Sequence, residues 1–172
     1  MQFKDISKFS NIFDYLPILN GVLLVETFII YFAIKGVFKS KYLTAWYKTY
    51  GLAAVMADVL IVMIGFILTR FFYSYFFTSF SIGFFILLAL CIQVVHDIGF
   101  YAFFSLVPRD FNKMLDLFKD YAKEVGVGAI IGDSSIVFFS VIFASLYAGA
   151  SLNLNIIYLI VTLYFIPYML HA

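Results

Sequence analysis

Along the chain, long apolar stretches alternate with short polar ones. Residues 17–38, 50–72, 79–106, 126–149 and 154–171 are each predominantly apolar. A helix needs about 20 such residues to cross the hydrocarbon core of a bilayer, so each stretch is a candidate span. Together they use most of the chain and leave no room for a separate soluble domain. The pattern predicts one integral membrane domain over residues 1–172, an all-α polytopic transmembrane bundle of about five spans with interfacial amphipathic helices. Two stretches blur the boundaries. "FFYSYFFTSFSIGFF" (71–85) has almost no polar punctuation, which predicts a tight aromatic turn near an interface. The fifth span is short and holds Pro167, which should kink it or end it. No fixed-period repeat is visible.

Two shorter segments carry helical periodicity of another kind. In 1–16, Phe3, Ile6, Phe9 and Phe13 recur at helical spacing and predict a short amphipathic helix lying in the membrane interface, against a disordered or protein-docked tail. Its basic residues are interleaved with acids and no small-residue cleavage pattern follows, unlike a cleaved signal peptide. In 107–125, Phe111, Met114, Leu115, Phe118, Tyr121, Ala122 and Val125 line one face. The other face carries Lys113, Asp116, Lys119, Asp120, Lys123 and Glu124. These charges balance, with local pairs such as Asp120–Lys123 or Glu124–Lys119 within reach. A lipid-lying helix would favour a basic face. The alternative is a helix docked on a protein partner through Phe111, Met114, Phe118 and Tyr121.

Composition supports lipid as the solvent. The chain is 65% hydrophobic and 12% charged, with a mean hydropathy of +1.04, against roughly a quarter charged residues in soluble domains. A net charge of +1 gives no support to nucleic-acid binding. Cys91 is the only cysteine, so no internal disulfide can form and a cysteine-based metal site is not expected. Lys35, Lys39, Lys41 and Lys48 cluster after the first span, and Arg109, Lys113, Lys119 and Lys123 after the third; the other side has Lys4, Lys8 and Arg70. The positive-inside rule then predicts both loops and the C-terminus in the cytosol and the N-terminus outside.

Candidate chemistry lies at depth. Each of the first four spans holds an acid: Glu26, Asp58, Asp97 and Asp133. An acid near a helix centre costs about 2.5–3.5 kcal/mol on the insertion scale, whereas about fifteen apolar residues gain about 4.5–9. Each span can still insert, and its carboxylate should face its neighbours, a cation or water. Gln93, Asp97 and Tyr101 share one helical stripe with His96 beside it. One reading is a proton or ion relay; the other is interhelical hydrogen bonding that fixes the packing.

"GVGAIIGDSSIVFF" (126–139) poses a sharper choice. Gly-Asp-Ser can announce a hydrolase serine, but that serine needs a base. The only late histidine is His171, with Tyr168 where the acid would stand, and strand–helix alternation is missing. The membrane reading explains more: Gly128 and Gly132 form a G-x-x-x-G pair and Ser135 extends it, predicting a helix-packing face that also shelters Asp133. No enzymatic constellation, cofactor site or metal site is expected.

"MLDLFKDYAKEVGVGAIIGDSS" (114–135), "NLNIIYLIVTLYFIPYML" (153–170) and the preceding "VVHDIGFYAFF" (94–104) resemble an uncharacterised multi-pass membrane protein family of nucleocytoplasmic large DNA viruses, the phycodnavirus and mimivirus group. The resemblance covers roughly the C-terminal half. It implies a virion protein of the internal viral membrane, derived from host endoplasmic reticulum, and it places 109–125 toward minor capsid proteins. It carries over no catalytic residue. The expectation is thus a structural membrane protein that contacts capsid or other membrane proteins through 109–125, with oligomers possible. The alternative is a small proton or ion channel or transporter using the intramembrane acids and His96.

Overall fold

The computed structural model describes residues 3–172. After a 3-10 turn at Ile12–Asp14 come α1 (Tyr15–Ile34), α2 (Lys41–Tyr50), α3 (Leu52–Phe76), α4 (Ile82–Leu106), α5 (Lys113–Val125), α6 (Gly128–Tyr147) and α7 (Leu152–Leu170), with no strand among the described residues. Five of these, α1, α3, α4, α6 and α7, are long and apolar enough to span a membrane. The bundle is turned inside out relative to a soluble one. Leu60, Val95, Ile98, Ile160 and Leu163 lie on its outer surface, where hydrocarbon is the natural neighbour.

Local chemistry sets the boundaries. Ser40, Asn112 and Ser151 cap α2, α5 and α7 by accepting from backbone N–H groups two or three residues on. Pro17 sits in the first turn of α1, where its missing N–H has no intrahelical partner to lose. Pro167 does not end α7, which runs on to Leu170. The ten-residue α2 reads in sequence as a polar loop because its apolar positions are aromatic and interleaved with Lys and Thr.

The first six helices are built as two similar halves, α1–α2–α3 and α4–α5–α6. In each, a span leads into a capped amphipathic helix, then a glycine at positive φ (Gly51, 51°; Gly126, 57°), then the next span. Only glycine tolerates such angles without strain. "GLAAVMAD" (51–58) and "GVGAIIGD" (126–133) share Gly, Ala and Asp, and hold small residues at two further positions. Gly51 and Asp58 are each 75 positions from their counterparts, but Ser40 and Asn112 are 72 apart and Glu26 and Asp97 are 71. The longer α5, 13 residues against 10 in α2, shifts the register. That shift hides the likeness of the two halves from a search at one fixed period.

Packing follows the same halves. α1, α3, α4 and α6 form a ring in which each touches two neighbours; α2 and α5 meet across one end, and α7 leans on α1 from outside. The most extensive contact is α1 on α6, and Gly21 makes it possible. A Cβ there would lie 2.6 Å from the Ala144 backbone N and 2.8 Å from the Ser140 backbone O. Ser140 and Ala144 supply the small spacing on α6. The predicted packing face is therefore corrected. Nothing lies within 4 Å of where a Gly132 Cβ would stand, Gly128 meets only its own Val125, and Ser135 is exposed with its hydroxyl bonded to Ile131 O. This chain packs through α6 one turn and more further on.

The N-terminal segment is also corrected. Residues 3–11 are not helical. They form a strap across the end opposite α2 and α5. Ile6 is fully buried, Ser145 Oγ donates to Lys4 O at 2.6 Å, and Arg70 donates to the Lys8 and Asn11 carbonyls. Arg70 is itself fully buried, with Asp14 at 3.3 Å and the Tyr15 ring 4.3 Å away. A buried guanidinium needs acceptors, and the strap carbonyls supply them to Nη2, whereas Nε and Nη1 are buried without a partner among the described residues.

Candidate functional site

The four deep acids converge at one level. Glu26 stands eight residues before the end of α1 and Asp97 nine before the end of α4; Asp58 and Asp133 stand six and five residues into α3 and α6. At about 1.5 Å per residue, all four lie about 8–14 Å below the end where α2 and α5 meet. Each of the four ring helices contributes one carboxylate.

Their partners divide them into two pairs. Glu26, 2% exposed, accepts from Tyr47 Oη at 2.8 Å. Asp58 accepts from Trp46 Nε1 at 2.8 Å and adjoins Glu26 and Tyr47. Both donors come from α2, so these two acids moor that helix onto the ring. Asp97 is held on its own helix, by Gln93 Nε2 at 2.6 Å and by His96 Nδ1 at 3.2 Å from the same oxygen. Its other oxygen, Oδ2, is buried and has no hydrogen-bond partner among the described residues. Asp133 accepts no hydrogen bond among the described residues, and its charged neighbours are Asp97 and Asp58. Tyr121 reaches into the same region from α5; burial, with Asp133 and Asp58 adding to it, pushes its hydroxyl pKa up to about 12. Tyr101, predicted on the Asp97 stripe, is exposed instead. Among the described residues, no Lys or Arg forms an ion pair with the four acids, and no three His, Cys, Asp or Glu side chains come together as a metal site.

α5 uses its apolar face differently from the docking expectation. The Phe118 ring lies 4.8 Å from Trp46, 5.3 Å from Phe100 and 6.4 Å from Phe104. Met114 packs against the core and Tyr121 is half-buried. Of the four residues assigned to partner docking, only Phe111 stands free, at 79% exposure. The face buries against this chain's own α2 and α4, because that is the nearest apolar surface out of water. The charged face pairs differently too. Asp120 receives Arg109, Asp116 receives Lys119, and Glu124 reaches α2, accepting from Ser40 Oγ at 2.5 Å and Lys41 N at 3.1 Å.

Sequence reasoning missed α2 with Trp46 and Tyr47, and missed Arg70 as an anchor. A second polar contact also escaped it: Asn20 Nδ2 donates to the Asn155 side-chain oxygen at 3.0 Å, tying α1 to α7. The aromatic residue five positions before Gly51 and before Gly126, Trp46 and Tyr121, was the signal that could have found the α2 contact.

Comparison with protein-family models, with curated proteins and with solved structures finds no match.

Proposed function

We propose that this multi-pass membrane protein is structural and that it presents a rigid two-helix plate at one face of the bilayer to capsid or other membrane proteins. One observation carries the reading: α2 and α5 are fastened to each other and to the ring. Glu124 caps α2, the Trp46 and Phe118 rings meet at a tilt between the helices, and Glu26 and Asp58 hold α2 from below. Most buried polar groups at this end are used for assembly. The outward features left for a partner are Phe111 and the charged edge of α5, narrower than the whole 109–125 face. The resemblance in 94–104, 114–135 and 153–170 supports placing the protein in the internal membrane of a large DNA virus. The test is a photo-crosslinker at position 111 with lysine crosslinks from Lys113 and Lys123, in intact particles. The expected product joins the chain to a protein on the capsid side of that membrane. Crosslinks to lipid or to the chain itself alone would remove the docking role.

A second reading, proton or ion movement, draws support from Asp97 and Asp133: Asp133 lies near Asp97 and Asp58, and among the described residues neither Asp97 nor Asp133 has a hydrogen-bond donor from another helix. Val22, Phe66 and Phe85 fill the core between them and the opposite end, so a path requires these side chains to part. Purified protein in liposomes tests it: proton flux that Asp97→Asn abolishes supports transport, and flux no greater than in empty liposomes removes it.

A further inference from the structure

A cavity of about 370 Å³ opens where α4 ends and α5 begins, lined by Tyr101, Phe104, Ser105, Val107, Arg109, Lys119, Ala122 and Lys123. Its size falls in the range of about 300–1,000 Å³ typical of small-ligand sites. Three cations and no acid stand among its lining residues. The balanced charge of α5 is therefore unevenly distributed: Asp116 and Asp120 line a different depression, between α2 and α5.

The cations are not fully spent on one another's partners. Arg109 is paired with Asp120, and Lys119 Nζ with Asp116 and the Val107 carbonyl. An ammonium has three donors, and these two contacts leave one. Lys123 makes no ion pair among the described residues. The three lining cations less the two acids paired with them, Asp116 and Asp120, leave one positive charge, the complement of one phosphodiester. Below the cations the cavity wall turns aromatic, and it continues into the apolar flank of α4: Tyr101 is 57% exposed, Ile98 58% and Leu106 85%. A charged mouth above an apolar, lipid-facing flank is the shape of a headgroup site, not of a site for a free anion.

We propose that this cavity binds the phosphate of an anionic phospholipid, with Arg109, Lys119 and Lys123 on the headgroup and the acyl chains along α4. Basic pockets between membrane helices recognise anionic headgroups in this way.

Native mass spectrometry of the purified full chain in neutral detergent tests it, offering phosphatidylglycerol, phosphatidylcholine and inorganic phosphate at equal concentration. Arg109→Gln with Lys123→Gln is the variant; Lys119 is kept because it caps the end of α4. Lys39→Gln with Lys48→Gln removes two cations from the same end but outside the cavity. Phosphatidylglycerol should be retained over phosphatidylcholine. Its affinity should fall about fivefold per cation removed in the cavity variant, and hold in the control. Equal retention of the two lipids, or equal weakening by both variants, would overturn the site. Inorganic phosphate displacing phosphatidylglycerol at matched concentration would overturn its assignment to lipid. Trp46 emission, which reports α2 against Phe118, verifies that each variant is folded.

Discussion

Trp46 on α2 and Asp58 on α3 are joined by a 2.8 Å hydrogen bond from the indole nitrogen, across a glycine that reverses the chain between them. Tyr121 and Asp133 hold the same two positions in the second half, also twelve residues apart. The first half has closed this contact, whereas Asp133 accepts no bond from Tyr121. The pair identifies what the first buried acids do: they fasten an amphipathic helix to the ring.

Removing the donor alone should therefore harm more than neutralising the acceptor. Trp46→Phe keeps an aromatic ring beside Phe118 but takes the indole donor from the Asp58 carboxylate, at a cost of about 1–3 kcal/mol. Asp58→Asn retains an oxygen that can accept from Trp46, and should cost less. Thermal unfolding in detergent, followed by far-ultraviolet circular dichroism, ranks the two. Asp58→Asn being the more damaging would show that Asp58 acts through its charge and not through this bond.

Glycine substitutions separate the actual packing face from the one suggested by its motif. Gly21→Ala drives a methyl into the backbone of α6 at 2.6–2.8 Å. Backbone cannot swing aside as a side chain can, so the helices must part, and overpacking of this kind costs about 1–3 kcal/mol. Gly132→Ala meets nothing within 4 Å and should be neutral or slightly stabilising through better helix propensity. Melting temperatures of the two variants check this. A damaging Gly132→Ala together with a loss of oligomer would instead reveal a second copy on that face.

These two sites also show how far the sequence could be read. The five spans were legible because each helix in lipid must be apolar along its whole length, and such a signal survives without knowledge of its neighbours. The acids at depth were legible for the same reason, as exceptions to that rule. Gly21 was not: an isolated glycine acquires its role only from Ser140 and Ala144, more than a hundred residues away. α2 was hidden because ten residues around Trp46 and Tyr47 carry too little apolar periodicity to distinguish a helix from a loop. The N-terminal strap misled because Phe3, Ile6, Phe9 and Phe13 have helical spacing, while the buried Arg70 claims the carbonyls of Lys8 and Asn11.

Arg70 should govern that strap. Arg70→Met preserves length and apolar contact inside the bundle but deletes the donors to Lys8 O, Asn11 O and Asp14. Asp14, 7% exposed, is then left without its cation, and breaking a buried pair on one side costs about 3–5 kcal/mol. Hydrogen exchange should quicken in residues 3–14 while α4 and α5, at a distance, keep their protection. Asp14→Asn combined with Arg70→Met should recover part of the loss. Unchanged exchange in the strap would mean that Ser145 and the burial of Ile6 hold it without Arg70.

Acid should loosen the α2–α5 plate through two surface carboxylates. The Ser40 hydroxyl, with the backbone N–H groups of Lys41 and Tyr42, holds Glu124 below its ordinary pKa of 4.5, and the Arg109 guanidinium holds Asp120 below 3.8. An acid whose pKa is depressed by folding contributes its stabilisation in full above the unfolded value, and loses it as the pH falls through the folded one. Through these two acids the plate should not change from neutrality down to about 4.5, and it should loosen as the pH falls further, through their depressed folded values. Trp46 is the chain's only tryptophan and packs against Phe118 of α5, so its emission reports the separation directly. In Glu124→Gln the amide still accepts a hydrogen bond but carries no charge to titrate. Its emission at neutral pH should already resemble a partly loosened plate, and its change below pH 4.5 should be smaller than in the parent chain. The same acid transition in both proteins would assign the loosening to the deep carboxylates instead of to the Glu124 cap.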